Sequence, residues 1–135
     1  MDTETGVVRV LRYAAAHDVG RAINPQSVEG QIEGGVVQGL GYGLMEEVVL
    51  EDGINLTTSF STYLIPTAVD VPDVRALVVE SGEGLGPFNA RGIGEPPIGP
   101  PAAALANAIE DATGVRITRL PITAERVARA LGLIG

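Results

Sequence analysis

Apolar residues recur every four positions between residues 24 and 46 and predict one long helix. Asn24-Pro25 predicts where it starts, because asparagine caps helices and proline suits the first helical position. The apolar stripe then drifts slowly around the axis as far as about residue 46. Its members are Val28, Ile32, Val36, Leu40 and Leu44.

The predicted helix is unusually rich in glycine. Its glycines are Gly30, Gly34, Gly35, Gly39, Gly41 and Gly43. Each costs a helix about 1 kcal/mol relative to alanine, so contacts outside the helix must stabilise it. Three of them, Gly35, Gly39 and Gly43, are four positions apart and line one side of the helix. They leave a groove that another backbone or a rigid ligand could approach closely.

The other patterns alternate between strand and helix signals. Strands are predicted at residues 6–16, 74–80 and 115–120, a turn at 17–21, and an Asp52-Gly53 hairpin between 47–50 and 54–57. Residues 59–72 and 81–101 are predicted to be ordered but irregular. Further helices are expected at 101–113, ended by Gly114, and from Thr123 to about 131. The pattern predicts an α+β fold of mixed strands, the long glycine-rich helix and two further helices, with no internal domain boundary.

Charge and composition narrow the possible partners. The net charge is −8, and the nine basic residues form no cluster, which argues against nucleic acid and against an anionic membrane surface. No uncharged apolar stretch reaches about 18 residues, so a membrane-spanning helix is not expected. With no cysteine and one histidine, the chain supplies neither iron–sulfur ligands nor a protein-only zinc site.

Glu95 is the sharpest candidate for chemistry. It follows Gly92 and Gly94, which permit close backbone approach to a ligand, and precedes Pro96 and Pro97, which fix the chain. A general base needs such fixed positioning, because it must lie within hydrogen-bond reach of the proton that it takes. On spacing alone, an exposed glutamate on a rigid turn remains the simpler interpretation.

Gln31 and Gln38 form a second candidate feature. They lie seven residues apart and therefore share one face of the glycine-rich helix. Two amides beside glycines could hydrogen-bond a flat polar ring system. The alternative is that both glutamines are solvated and the glycines pack against a neighbouring helix.

Taken together, the motifs resemble the molybdopterin-binding region of xanthine dehydrogenases and aldehyde oxidases. The similar blocks follow the family's order and reach from about residue 7 to residue 131. They are residues 18–25, 28–35, 37–41, 61–67, 92–96, 106–109 and 120–123. Each block is weak alone, but the ordered set is specific and favours the functional interpretation of both candidate features.

The resemblance implies a role for each candidate residue. Glu95 matches the family's catalytic base, which takes a proton from the water-derived oxygen that attacks an aldehyde or an N-heterocycle. Gln31 matches a glutamine that contacts the pterin, Ile93 and Gly94 would lie beside the metal, and Gln38 is a further cofactor-binding candidate. The metal would be held by the pterin dithiolene and by no residue of this chain.

The resemblance also implies the cofactors and the assembly. The cofactor is expected to be a molybdenum–pterin, either molybdopterin or its cytosine dinucleotide, with iron–sulfur clusters and FAD only on partner domains or subunits. Residues 1–135 are similar to the C-terminal portion of the family's second molybdopterin-binding domain. The expected partners are therefore the remainder of the molybdenum subunit, iron–sulfur and flavin subunits, and a small-molecule substrate. A cytoplasmic location is expected, with the periplasm as the alternative for the complex.

Two other interpretations remain open. The chain could be a non-catalytic fragment that binds the partner subunits of such a complex. Less favoured is a small binding protein that holds an unrelated ligand on its glycine-rich helix. Molybdenum and pterin in a purified complex would separate the enzymatic interpretation from both.

Overall fold

The computed structural model describes all 135 residues, and they form two compact units, each built from separate stretches of chain. In chain order the elements are β1 (Arg12–Asp18), α1 (Pro25–Leu44), β2 (Leu50–Glu51), β3 (Ile54–Asn55), β4 (Asp73–Val79), short 3₁₀ helices at Pro87–Asn89 and Pro96–Ile98, α2 (Pro100–Thr113) and α3 (Ala124–Ala130). Three helices and a few short strands make the α+β fold that the sequence predicts. No helix combines the length and the apolar character that crossing a membrane requires.

The first unit, here called the strand unit, consists of Val10–Gly39 and Val71–Pro101. In it β1 and β4 pair in parallel, in a register that runs from Arg12 opposite Asp73 to Asp18 opposite Val79. The first three residues of the predicted apolar stripe of α1, Val28, Ile32 and Val36, are buried in this unit. The buried apolar side chains of this unit are Ala15, Val19, Val28, Ile32 and Val36.

The N-terminus of α1 follows the predicted chemistry. The side-chain Oδ1 of Asn24 accepts a hydrogen bond from the Ser27 amide at 3.1 Å, and Pro25 is the first helical residue. This cap satisfies one of the amides that a helix start leaves without a partner. The predicted start is therefore confirmed, and the helix ends at Leu44, two residues before the predicted end.

The second unit, here called the hairpin unit, consists of Met1–Arg9, Leu40–Asp70 and Ala102–Gly135. Its β2 and β3 are antiparallel around Asp52-Gly53, whose φ angles of 48° and 81° are those of the predicted two-residue turn. The caps at Gly114 and Thr123 are also confirmed: Thr123 accepts from the Arg126 amide at 3.2 Å. The buried apolar side chains here are Leu40, Ala102, Leu105, Ala106, Ile109, Ile122, Val127 and Ala128.

Two predicted strands need correction. The first begins at Arg12 rather than at residue 6 and extends through Asp18, because its parallel ladder with β4 continues into the predicted turn. The strand predicted at residues 115–120 is wrong. Val115 and Ile117 do alternate with exposed neighbours, but no strand of the chain pairs with them, so the pattern has no ladder to join.

Candidate functional site

The segment that follows Glu95 packs directly against the glycine-rich helix α1. A Cβ at Gly35 would come within 2.5 Å of Pro97 Cβ, and a Cβ at Gly39 within 2.5 Å of Pro101 Cγ. Both prolines are fully buried. Of the two occupants predicted for this part of the groove, the structure places the chain's own backbone there rather than a ligand. This packing is an external contact of the kind that so glycine-rich a helix requires.

The backbone around Glu95 is fixed while its side chain is not. Glu95 precedes the short helix Pro96–Ile98, and its carbonyl accepts the Ile98 amide at 3.0 Å. Its side chain is exposed and joins none of the chain's four salt bridges. The carboxylate is therefore presented from an anchored backbone and remains available to a ligand.

Gln31 is the candidate that the structure brings to the Glu95 segment. A Cβ at Gly94 would lie 3.9 Å from Gln31 Oε1, so the amide lies beside the residue immediately before Glu95. Ile93, the next residue upstream, is half-buried. Gln38 is exposed and lies about 10 Å further along the helix axis. None of its atoms lies within 4 Å of a Cβ built at Gly94.

The helix face that carries Gln31 is open. Positions 31, 34 and 38 fall on one side of a 3.6-residue helix, and all three residues are exposed. A Cβ at Gly30 or Gly34 would meet no atom within 4 Å. The face therefore offers amides for hydrogen bonding and bare backbone between them, which fits a flat, polar ring system such as a pterin.

A third group of residues in the strand unit was missed by the sequence prediction. Asp18 Oδ1 accepts the Gly20 amide at 2.9 Å and the Ser81 hydroxyl at 3.0 Å, and Asp18 Oδ2 pairs with Arg91 Nη2 at 3.3 Å. The Gly20 amide above all, then Ser81 and Arg91, lower the pKa of Asp18 below its ordinary value. The signal that could have found this group is the Asp-x-Gly spacing, since aspartate commonly accepts the amide two residues on.

The structure contains no cluster of three or more His, Cys, Asp or Glu side chains able to hold a metal ion.

The fold is that of a molybdopterin-binding domain. Residues 1–72 match the model of the molybdopterin cofactor-binding domain, and the chain belongs to that family. The predicted family and the predicted molybdenum–pterin cofactor are thereby confirmed.

Individual relatives agree with this family assignment. The chain is 44% identical over 138 residues to a 6-hydroxypseudooxynicotine dehydrogenase complex subunit gamma of Paenarthrobacter nicotinovorans, covering 98% of this chain and 17% of that protein. It is 37% identical over 130 residues to a putative xanthine dehydrogenase molybdenum-binding subunit of Escherichia coli, covering 95% and 17%. The predicted class, molybdenum-dependent oxidoreductases, is thus the class of its relatives.

Solved structures show the same similarity in three dimensions. Quinoline 2-oxidoreductase from Pseudomonas putida 86 superposes with a TM-score of 0.84 at 40% identity, covering 95% of this chain and 17% of that one. Aldehyde oxidoreductase from Desulfovibrio gigas superposes with a TM-score of 0.87 at 35% identity, covering 97% and 14%. The chain therefore spans less than a fifth of the length of these relatives.

Proposed function

We propose that this chain is the section of a molybdenum hydroxylase that carries the general base, Glu95, together with one wall of the pterin site. The observation that supports it is the proximity of the Gln31 amide to Gly94, the residue before the proposed base: a Cβ at Gly94 would lie 3.9 Å from Gln31 Oε1. This juxtaposition links residues 63 positions apart in the sequence within one compact unit.

The roles of the binding residues are those that the family resemblance implies, and the proximity of Gln31 to Gly94 supports them. Gln31 holds the pterin by hydrogen bonds from its amide, which can both donate and accept. Ile93 and Gly94 line the space beside the metal, where the missing Cβ of Gly94 permits close approach. Gln38 contacts the same cofactor further along the open face. The molybdenum–pterin, when bound, supplies the two-electron oxidation chemistry.

Glu95 performs the proton transfer. Its carboxylate accepts a proton from the water-derived oxygen that attacks an electron-poor carbon of an aldehyde or an N-heterocycle. The short helix Pro96–Ile98 fixes the backbone on the downstream side of Glu95, which supports this role because a proton acceptor must be positioned. A positioned general base typically contributes about 10²–10⁴-fold to the rate.

The proposed enzyme is an assembly. Because the chain spans less than a fifth of its relatives, the rest of the molybdenum subunit completes the cofactor site and the substrate pocket. Iron–sulfur and flavin subunits take the electrons onward. We place this complex in the cytoplasm, with the periplasm as the alternative.

The test is Glu95→Gln in the complex purified with its partner subunits. Molybdenum and pterin content should stay at the level of the unmodified complex, because Glu95 does not hold the cofactor. The kcat for an N-heterocycle or aldehyde substrate should fall about 10²–10⁴-fold. Glu33→Gln is the matched control, since Glu33 is exposed on the side of α1 away from Gln31 and should leave kcat unchanged.

The outcomes separate the possible functions. Full activity of the Glu95→Gln complex would overturn the assignment of the base. A purified complex that contains neither molybdenum nor pterin would instead support the non-catalytic subunit-interaction fragment. Loss of cofactor together with activity in Glu95→Gln would make Glu95 a binding residue rather than a base.

A further inference from the structure

The polypeptide that bears Glu95 is anchored on both sides. On the downstream side, Pro97, two residues after Glu95, is buried against Gly35 of α1. Upstream, the nearest attachment is at Arg91, and the intervening residues 92–94 include two glycines. Because glycine leaves the backbone free to adopt many conformations, Pro97 alone would leave the carboxylate's position underdetermined.

Arg91 is attached through three separate groups. Its amide donates to the Val19 carbonyl at 2.8 Å, and its Nε donates to the Glu83 carbonyl at 2.7 Å. Its Nη2 pairs with Asp18 Oδ2 at 3.3 Å. Backbone and side chain of Arg91 are thus both tied to the end of β1 and to the preceding loop.

The Asp18 end of this pair is fixed as well. Asp18 is the last residue of β1 and accepts the amide of Gly20 and the hydroxyl of Ser81. Gly20, with a φ of +66°, lies so close beneath the loop that a Cβ there would collide with the Asn89 carbonyl. The carboxylate that receives Arg91 therefore belongs to a rigid strand end.

We propose that the Asp18–Arg91 ion pair is a positioning device that holds the Glu95 carboxylate in place at the cofactor site. The expected sizes of the two effects favour positioning over a contribution to the stability of the fold. The side chains of Arg91 and Asp18 are 45% and 33% exposed, and ion pairs of such exposure contribute little to stability. A displacement of about 1 Å in a reacting group, in contrast, can cost about 10²-fold in rate. With Arg91 fixed, residues 92–94 are held at both ends, which narrows the positions that Gly92 and Gly94 would otherwise allow Glu95.

This inference rests on the proposed function, because it needs Glu95 to be the base. The experiment uses the assembled complex with Arg91→Met, Asp18→Asn, the double variant and the conservative Arg91→Lys. Arg116→Met is the matched control: the Arg116–Glu110 pair has similar exposure, 47% and 44%, and lies in the hairpin unit. The readouts are kcat, KM, molybdenum content, melting temperature and hydrogen–deuterium exchange of the peptide covering residues 91–98.

The expected pattern is a loss of kcat without loss of structure. Arg91→Met should lower kcat at least tenfold, with KM, molybdenum content and melting temperature close to those of the unmodified complex. Exchange in residues 91–98 should accelerate, and Arg91→Lys should recover part of kcat. The double variant should be no worse than the more affected single variant, and Arg116→Met should change none of these readouts.

A Glu95→Gln background makes the inference and the proposed function separable. Adding Arg91→Met to Glu95→Gln should lower kcat no further, because the residue being positioned is already gone. If Glu95→Gln is fully active, both the proposed function and the inference fail. If Glu95→Gln is impaired but Arg91→Met has normal kcat and normal exchange, only the inference fails. If Arg91→Met loses molybdenum and melting temperature in proportion to kcat, the pair is merely structural and the inference is overturned.

Discussion

Among single residues, Gln31 is the one whose role depends most directly on geometry. Its amide is the side-chain group next to Gly94, and the helix face around it is open. A hydrogen bond from this amide is worth about 0.5–1.5 kcal/mol, so its loss should weaken pterin binding roughly two- to tenfold.

Gln31→Leu tests this expectation, because leucine keeps much of the volume and removes both the donor and the acceptor. Pterin and molybdenum retained by the complex after extensive dialysis should fall below those of the unmodified complex. Gln26→Leu is the control, because Gln26 is exposed in the first turns of α1 and faces away from Gln31. Equal cofactor retention in both variants would contradict the role of Gln31.

Asp18 leads to a prediction about pH. Hydrogen bonds from Gly20 and Ser81 and the charge of Arg91 lower its pKa below the ordinary value of 3.8. A group whose pKa is lowered on folding stabilises the fold fully above its unfolded pKa, and that contribution is lost as the pH falls through the folded pKa.

The difference in melting temperature between the unmodified complex and Asp18→Asn should therefore be small, because Asp18 is partly exposed, constant from about pH 5 to pH 7, and reduced only below about pH 4. Asp111→Asn, at an exposed position of α2, is the control for general effects of charge. A difference that instead shrinks as the pH rises from 5 to 7 would show that the ionised carboxylate does not stabilise the fold.

At the scale of the elements, replacing a packed glycine of α1 and replacing an open one should have opposite effects on stability. Gly35 is pressed against Pro97, whereas a Cβ at Gly30 would meet no atom within 4 Å. Gly35→Ala should therefore destabilise the protein by about 1–3 kcal/mol through overpacking. Gly30→Ala should stabilise it by up to about 1 kcal/mol through helix propensity. Urea unfolding of the two variants checks the sign, and a stabilising Gly35→Ala would contradict the packing of the Glu95 segment on α1.

The same helix shows what could be predicted from sequence. Its apolar period, its Asn24 cap and its need for close external contacts follow from local chemistry and are confirmed. That Pro97 and Pro101 supply those contacts could not be predicted, because nothing local says which distant segment fills a groove. For the same reason the alternating residues 115–120 mimic a strand: the pattern reports exposure, while a strand also needs a partner.

The candidate site divides along the same line. Glu95 could be found because its glycine and proline neighbours are adjacent in sequence. The proximity of the preceding residue, Gly94, to Gln31 depends on packing between segments 63 residues apart, and only the family resemblance implied that the two lie at one site. The Asp18–Arg91 pair was missed for this reason, because the Asp-x-Gly spacing marks Asp18 alone and nothing local says that the fold brings Arg91 to it.

Across the whole chain, many large apolar side chains remain exposed, although the net charge is −8. Leu11, Phe60, Val69, Leu85 and Phe88 are each more than 70% exposed. The strands β1 and β4 also form a sheet of only two, and parallel sheets are ordinarily covered on both faces. This much exposed apolar surface and unpaired strand edge is typical of a segment that is covered by other protein in its assembly.

The 135 residues produced alone should therefore bind a hydrophobic dye such as anilinonaphthalene sulfonate strongly and should self-associate with rising concentration. The net charge of −8 opposes self-association, and salt screens this repulsion. Association should therefore become stronger as salt is added. Light scattering across salt and protein concentration measures this, and co-production with the rest of the molybdenum subunit should abolish both dye binding and association. A monomer that stays monodisperse at high salt and binds no dye would contradict the expectation that partner protein covers these side chains.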